Sequence, residues 1–258
     1  MGRLEGMDAV REVDKSSFVS RLFLVPKPAK KVIDPVSGEQ RRSSSGELLF
    51  EDDWRMIWDG REVNKLCGPA DYYKMETLKK LRYLCRKNDW LISADLQDGF
   101  FALGIYPEHT KYMSFQVHLP TWPAARTYSY QVCPFGWCES PRRFLKLTEV
   151  LVRALRNPDV PALVKALGSA PPFVKAAAVL APQRRKVGGV RQASLACAQS
   201  MRLLPYMDDF LACFSTREEA LAGGLQLKKT CAWLGLSLSA TKCHWEPTQT
   251  LDHLGLRI

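Results

Sequence analysis

Apolar residues recur along this chain with two periods, and the switches between them mark its elements. Phe18 to Val25 and Trp54 to Trp58 are rich in aromatic and β-branched residues and read as strands that pair antiparallel across the segment between them. Leu78, Leu81, Leu84 and Cys85 then share one helical face, Asn88 and Asp89 end that helix, and Trp90 to Ala94 form a strand that runs into Asp95. Tyr112 to Val117 and Thr127 to Val132 suit a hairpin. Ser140 is placed to cap a long helix with Pro141 at its first position. Phe144, Leu147, Leu151 and Leu155 make its apolar stripe, and Asn157-Pro158 stops it.

Further on, Met201 to Tyr206 and Phe210 to Phe214 flank Met207-Asp208-Asp209 as two short strands flank a tight turn. Ser215 or Thr216, with Glu218 or Glu219 three residues on, offers a capping box for a helix holding Leu221, Leu225, Cys231 and Leu234 and closed by Gly235. An apolar run from Leu251 to Ile258 ends the chain. The order ββ, α, β, ββ, α, ββ, α, β predicts an α+β fold, an antiparallel sheet with helices on one face.

Two stretches depart from this pattern. Pro28 to Asp53 carries Lys30-Lys31, Arg41-Arg42, a Ser43-Ser44-Ser45-Gly46 tract and then acids, and reads as a solvated loop. Asn157 to Ser200 is rich in Ala and Pro and bears Lys165, Lys175, Arg184, Arg185, Lys186 and Arg191 against the single acid Asp159. That segment supplies half of the net charge of +10 left by 37 Lys and Arg over 27 Asp and Glu, a balance that favours a polyanionic partner: nucleic acid, an acidic membrane leaflet or an acidic protein.

A length of 258 residues implies one or two compact units, and 46% hydrophobic with 25% charged residues excludes collagen-like and wholly disordered chains. There is no run of apolar residues long enough to span a membrane, and Met1 to Val10 holds Arg3, Glu5 and Asp8 with no apolar signal core. An intracellular protein with no membrane partner is expected. The eight cysteines are scattered without a C-x-x-C pair, which points to reduced, mostly buried thiols. Cys231, Cys243, His244 and His253 have no structural zinc spacing, so no zinc is expected.

The chemistry rests on carboxylates. Asp208 and Asp209 sit side by side, where each raises the other's pKa unless a cation neutralises them, although acids at an exposed turn need no metal. Asp95 ends a hydrophobic strand, where it either caps a following turn, with Asp98 nearby, or meets a partner. Brought together, three acids from two strand ends suit two Mg²⁺ ions. One would lower the pKa of an attacking hydroxyl and the other would hold a triphosphate and stabilise the leaving pyrophosphate.

Tyr206-Met207-Asp208-Asp209 between hydrophobic residues resembles the catalytic turn of reverse transcriptases, and further motifs follow in that family's order. Ser93 to Phe101, with Asp95, resembles the first catalytic motif, and Gln131 to Pro141 resembles the template- and nucleotide-positioning motif. Phe23 to Pro28 and Trp54 to Asn64 resemble the two fingers strands that hold the triphosphate. Gly235 to Cys243 resembles the lysine-bearing palm motif, and His253 to Leu256 the primer-grip hairpin. Phe135, Asp59-Gly60-Arg61 and the Tyr206 to Phe210 turn look closest to LTR and DIRS-like retrotransposon enzymes.

The resemblance implies an RNA-directed DNA polymerase with a right-hand fingers–palm fold and an antiparallel palm sheet backed by helices. Residues 1–94 would be mainly fingers with an insertion at 28–53, and 95–258 mainly palm with an insertion at 157–200. The thumb, connection and RNase H parts would lie outside these residues. It implies Asp95, Asp208 and Asp209 as catalytic acids, Lys242 as proton donor to pyrophosphate, and Asp95, Leu96, Asp208 and Asp209 as ligands of two Mg²⁺ ions, with Mn²⁺ able to substitute. Lys27, Arg55, Asp98, Gly99, Phe100, Phe135 and Gly136 would bind the dNTP, Arg55 as a bidentate clamp and Lys27 as a mobile point charge. Phe100 would press on the sugar where a 2′-hydroxyl collides. Tyr206, Met207, Leu254 and Gly255 would meet primer and an RNA or DNA template. Two rival readings are a catalytically idle nucleic-acid-binding module, which the three acids oppose, and an RNA-directed RNA polymerase, which Phe100 opposes.

Overall fold

A computed structural model describes the chain except for residues 15, 17, 33, 35–38, 69–72, 74 and 157–200. The second sequence insertion, 157–200, thus lies outside the described residues. In chain order the elements begin with α1 (Gly2–Gly6), β1 (Val10–Glu12), β2 (Val19–Ser20), β3 (Leu22–Lys31), β4 (Phe50–Trp58), α2 (Arg61–Leu66), α3 (Leu81–Leu84) and β5 (Trp90–Asp95). There follow β6 (Ser114–Val117), β7 (Arg126–Tyr130), α4 (Glu139–Arg156), β8 (Arg202–Tyr206), β9 (Asp209–Phe214), α5 (Arg217–Leu234), β10 (His244–Thr248), β11 (Asp252–His253) and β12 (Leu256–Arg257). Among the described residues no helix is long and apolar enough to cross a membrane.

The chain forms two compact units, Met1–Ala70 with Gly104–Ser140, and Asp71–Leu103 with Pro141–Ile258. It passes between them three times, because strands distant in sequence share a sheet. In the first unit the sheet order is β1-β7-β6-β2, and Trp58, Phe115, Tyr128 and Tyr130 are fully buried. The Phe115 and Tyr130 rings lie 4.9 Å apart, and the buried Trp58 indole donates to the Ser114 carbonyl at 3.3 Å.

Two sequence expectations change here. Phe18 to Val25 is not one strand: Val19 and Ser20 pair parallel with Ser114 and Phe115 of β6, whereas Leu22 onward pairs antiparallel with β4. Strand propensity foretells an extended backbone but not its partner. Nor is Pro28 to Asp53 simply a loop. The β3–β4 ladder runs on to Lys31 opposite Phe50, an Arg42–Leu48 bridge extends it, and the Ser43 hydroxyl accepts from the Glu47 N–H where Gly46, at φ 82°, turns the chain. The charged residues decorate a long hairpin whose backbone groups pair with one another.

The second unit holds the sheet β10-β5-β9-β8, antiparallel throughout. Its strands alternate with period two. Ile92, Ala94, Leu203, Phe210, Ala212 and Phe214 face a core shared with Phe144, Leu151 and Leu155 of α4 and Ala220, Leu227, Cys231 and Leu234 of α5. Leu91, Leu204, Leu211 and Cys213 point the other way, onto Leu251 and the Leu78–Cys85 segment. The two long helices therefore share one face, as the pattern predicts, while the segment at 78–85 shortens to a 3₁₀ turn and a single α-turn on the opposite face.

Capping is partly as read. Thr216 accepts from the Glu219 N–H at 3.2 Å, the Glu219 carboxylate accepts from the Ser215 N–H at 3.1 Å, and Gly235 closes α5 at φ 75°. Ser140 instead lies inside α4, and its hydroxyl donates to the Pro134 carbonyl at 2.8 Å. The apolar stripe of α5 is also displaced. Leu221 and Leu225 are exposed, and Gly223 and Gly224 are buried in their stead. A Cβ on Gly223 would lie 2.2 Å from the Phe214 ring, so this helix packs by removing side chains where hydropathy looks for large ones.

Candidate active site

The last residue of β5, Asp95, lies directly opposite the first residue of β9, Asp209, and side chains so placed share one face with Cβ atoms about 5 Å apart. Asp208 precedes Asp209 in a two-residue turn closed by the Tyr206–Asp209 pair. Met207 occupies that turn at φ 56°, a left-handed conformation costing a non-glycine residue roughly 1 kcal/mol. The Leu96 N–H donates to the Asp208 carbonyl at 2.9 Å, which fixes the turn against the end of β5. Three carboxylates from two strand ends thus converge, and Leu96 is buried beside them.

Their electrostatics follow from that crowding. Asp95 is buried, and the Lys242 ammonium donates to its Oδ2 at 3.1 Å and Oδ1 at 3.4 Å. The Asp209 carboxyl is pushed up to about 6, first by burial and then by the charges of Asp208 and Asp95, with Lys242 opposing them. Burial pulls the Lys242 amine down, but its bond to Asp95 and the three acid charges outweigh this and raise its pKa. Three carboxylates and one ammonium meet here. Oxygen donors of this kind are what hard divalent cations take, so the residues present fit Mg²⁺.

Beside the acids, Asp98 stands at φ 51° and opens a 3₁₀ turn, Gly99–Ala102. Gly99 has no room for a side chain: a Cβ there would lie 2.6 Å from the Phe144 ring and 3.5 Å from the Asp208 Cβ. The Phe100 ring meets Phe144 edge to face at 5.4 Å, so its position depends on α4. Leu254 and Gly255, at φ 50° and 77°, form the tip of the β11–β12 hairpin in the same unit.

The remaining candidates belong to the first unit. Lys27 lies opposite Asp53 and Arg55 opposite Val25, so the two cations share one face of the β3–β4 hairpin. The Arg55 guanidinium sits over the Phe135 ring, 5.7 Å from its centroid. Gly136, at φ 115°, lies so close to the chain that a Cβ would fall 1.9 Å from the Trp58 carbonyl oxygen. Asn64 grips this loop from both sides, donating to the Gly136 carbonyl at 3.0 Å and accepting from the Cys138 N–H at 3.0 Å.

Asn64, Phe144 and Cys243 are site supports that sequence reasoning did not select. Asn64 falls within the Trp54 to Asn64 motif and Phe144 was legible only as part of a helical stripe. A further cluster, Cys85, Asp89 and Cys213, groups possible metal donors, but Arg202 occupies both Asp89 oxygens at 2.6 and 2.8 Å, making it an ion-pair site.

Solved structures that share this fold include three foamy virus enzymes. A foamy viral protease–reverse transcriptase in complex with double-stranded DNA matches with a TM-score of 0.59 at 19% identity, covering 99% of this chain and 32% of that one. A mutant of the prototype foamy virus protease–reverse transcriptase matches at 0.58 and 20% identity, and the foamy viral enzyme in complex with an RNA/DNA hybrid at 0.58 and 18%. Both cover 99% of this chain and 24% of their own. The chain thus spans about a quarter to a third of the length of the proteins it matches. The family model for reverse transcriptase (RNA-dependent DNA polymerase) matches residues 41–258, most of the sequence and all the carboxylates just described, and the chain belongs to that family.

Proposed function

We propose that this chain carries the polymerising centre of a retroelement reverse transcriptase and extends a primer with dNTPs on an RNA or DNA template. The observation that carries this reading is the placement of Asp95 opposite Asp209, with Asp208 in the adjoining turn and Lys242 on Asp95. In this reading the second unit supplies palm and the first unit fingers, with thumb, connection and RNase H functions supplied by other parts of a longer element.

Asp95, Asp208, Asp209 and the Leu96 carbonyl would hold two Mg²⁺ ions, which supply a lowered pKa for the primer 3′-hydroxyl and charge stabilisation for the leaving pyrophosphate. The chain's own groups do the rest. Asp209, whose carboxyl is pushed up to about 6 by burial and by the charges of Asp208 and Asp95, would ionise more readily where a cation relieves that repulsion. Lys242, kept protonated by the acids, holds a proton suited to the pyrophosphate oxygen. Phe100, propped by Phe144, sets the floor on which a deoxyribose fits. Lys27 and Arg55, which share one hairpin face, would take triphosphate oxygens, and Phe135 and Gly136 would lie against the base.

Primer extension on RNA and DNA templates, with and without Mg²⁺, tests the proposal. Extension with dNTPs that requires the metal is expected. Firm primer–template binding without any extension would make the chain an idle binding module.

A further inference from the structure

The edge of β5 next to β10 holds a detail that the acids alone do not explain. His244 pairs with Ser93, and a regular antiparallel ladder would place Lys242 opposite Asp95. The strand does not continue so far, since β10 begins at His244 and Ala240 to Lys242 form a turn. The Asp95 peptide, inside a buried site, must therefore find other partners. Its carbonyl accepts from the Ser239 N–H at 2.8 Å. Its N–H donates to the Cys243 sulfur at 3.3 Å, and the same thiol donates to the Asp95 carbonyl at 3.6 Å.

We infer that Cys243 is a positioning residue for Asp95: its thiol replaces the missing rung of the ladder and holds the peptide so that the carboxylate faces Asp208 and Asp209. The inference deepens the function proposed above and rests on that reading of Asp95 as a cation ligand. The thiol combines an acceptor and a donor on one atom, and both face the backbone of one residue, Asp95. The next residue back, Lys242, holds the carboxylate of the same Asp95, so one dipeptide sets both the backbone and the side chain. Alanine at position 243 would leave the Asp95 N–H without a partner, and valine would fill the space without bonding. Serine would keep both bonding roles. A group that orients a metal ligand from outside the coordination shell changes metal affinity itself, by about tenfold or more.

The test is a Mn²⁺ titration followed by the electron paramagnetic resonance of the free ion, on the whole chain and without substrate. Four variants are compared with wild type: Asp95→Asn, Cys243→Ala, Cys243→Val and Cys243→Ser. The inference expects Asp95→Asn to lose the site, Cys243→Ala and Cys243→Val to weaken Mn²⁺ binding roughly tenfold, and Cys243→Ser to restore most of the affinity. Wild-type affinity in Cys243→Ala beside a loss in Asp95→Asn would overturn the positioning role and leave the proposed function standing. Equal weakening in Cys243→Ser and Cys243→Val would also overturn it, since packing alone would then account for the effect. Wild-type binding in Asp95→Asn would overturn the metal reading on which the inference stands.

Discussion

At the scale of the residue, the site is an arrangement the folded chain holds against repulsion. The Asp209 carboxyl, raised from 3.8 to about 6, is easier to keep protonated in the fold than in the unfolded chain. Its contribution to stability is therefore present below about pH 4 and lost as the pH rises to about 6. Asp209→Asn should remove that loss and stabilise the metal-free protein at pH 7 by about 1 kcal/mol, a figure discounted because the group is half exposed. Thermal unfolding of both proteins between pH 4 and 7 would show the curves diverging, and added Mg²⁺ should narrow the gap by stabilising wild type alone. A second prediction concerns the Phe100 ring. Phe100→Ala should raise ribonucleotide incorporation relative to dNTPs by roughly tenfold or more, and Phe144→Leu should shift the same ratio in the same direction by withdrawing the ring's support. Asp95, Asp208 and Asp209 were legible in sequence because each stands in a short motif where a hydrophobic strand stops. Phe144 and Cys243 were not, because each acts through a residue far along the chain that only the fold brings near.

At the scale of the element, β5, β8, β9 and α4 could be read from alternation and helical spacing, since their faces meet uniform apolar surroundings. The buried stripe of α5 is not legible, because Gly223 and Gly224 give a close-packing surface no hydropathic signal. The hairpin β3–β4 reads in sequence as a loop beyond Pro28, because its ladder is built by the backbone. One ion pair joins several elements of the second unit. Arg202, at the start of β8, holds both oxygens of buried Asp89 just before β5 and donates to the Leu84 carbonyl at the end of α3 at 2.8 Å. Burial alone would raise the Asp89 carboxyl, but the bonds from Arg202 and the Arg86 N–H outweigh it and hold the pKa below the usual carboxylate range. This pair stabilises the fold above the unfolded carboxylate pKa and stops doing so as the pH falls through the lower folded value. Arg202→Ala should cost roughly 3 kcal/mol at pH 7 by stranding a buried carboxylate, and that cost should shrink at lower pH as acid protonates Asp89. Urea titrations at pH 7 and 4 would detect both effects. The double variant Arg202→Leu with Asp89→Leu should recover much of the loss.

At the scale of the whole molecule, order along the chain carried most of the information. Motifs at Lys27, Arg55, Asp95, Phe135, Asp208 and Lys242 occur in one sequence, and the fold assigns the first two and Phe135 to one unit and the carboxylates with Lys242 to the other. The division into units is not legible in the sequence, since units made of separated chain segments leave no compositional boundary at any of the three crossings. A net charge of +10 suits a nucleic-acid partner but does not separate an enzyme from a binding module. The carboxylates define the most direct test: extension of a primer on an RNA template by wild type and Asp208→Asn, with binding to the same primer–template measured in parallel. Extension by wild type is expected, with its loss by a factor of about 100 or more in the variant and nearly equal binding by both. Equal extension by the two proteins would contradict the assignment of these acids to the chemistry.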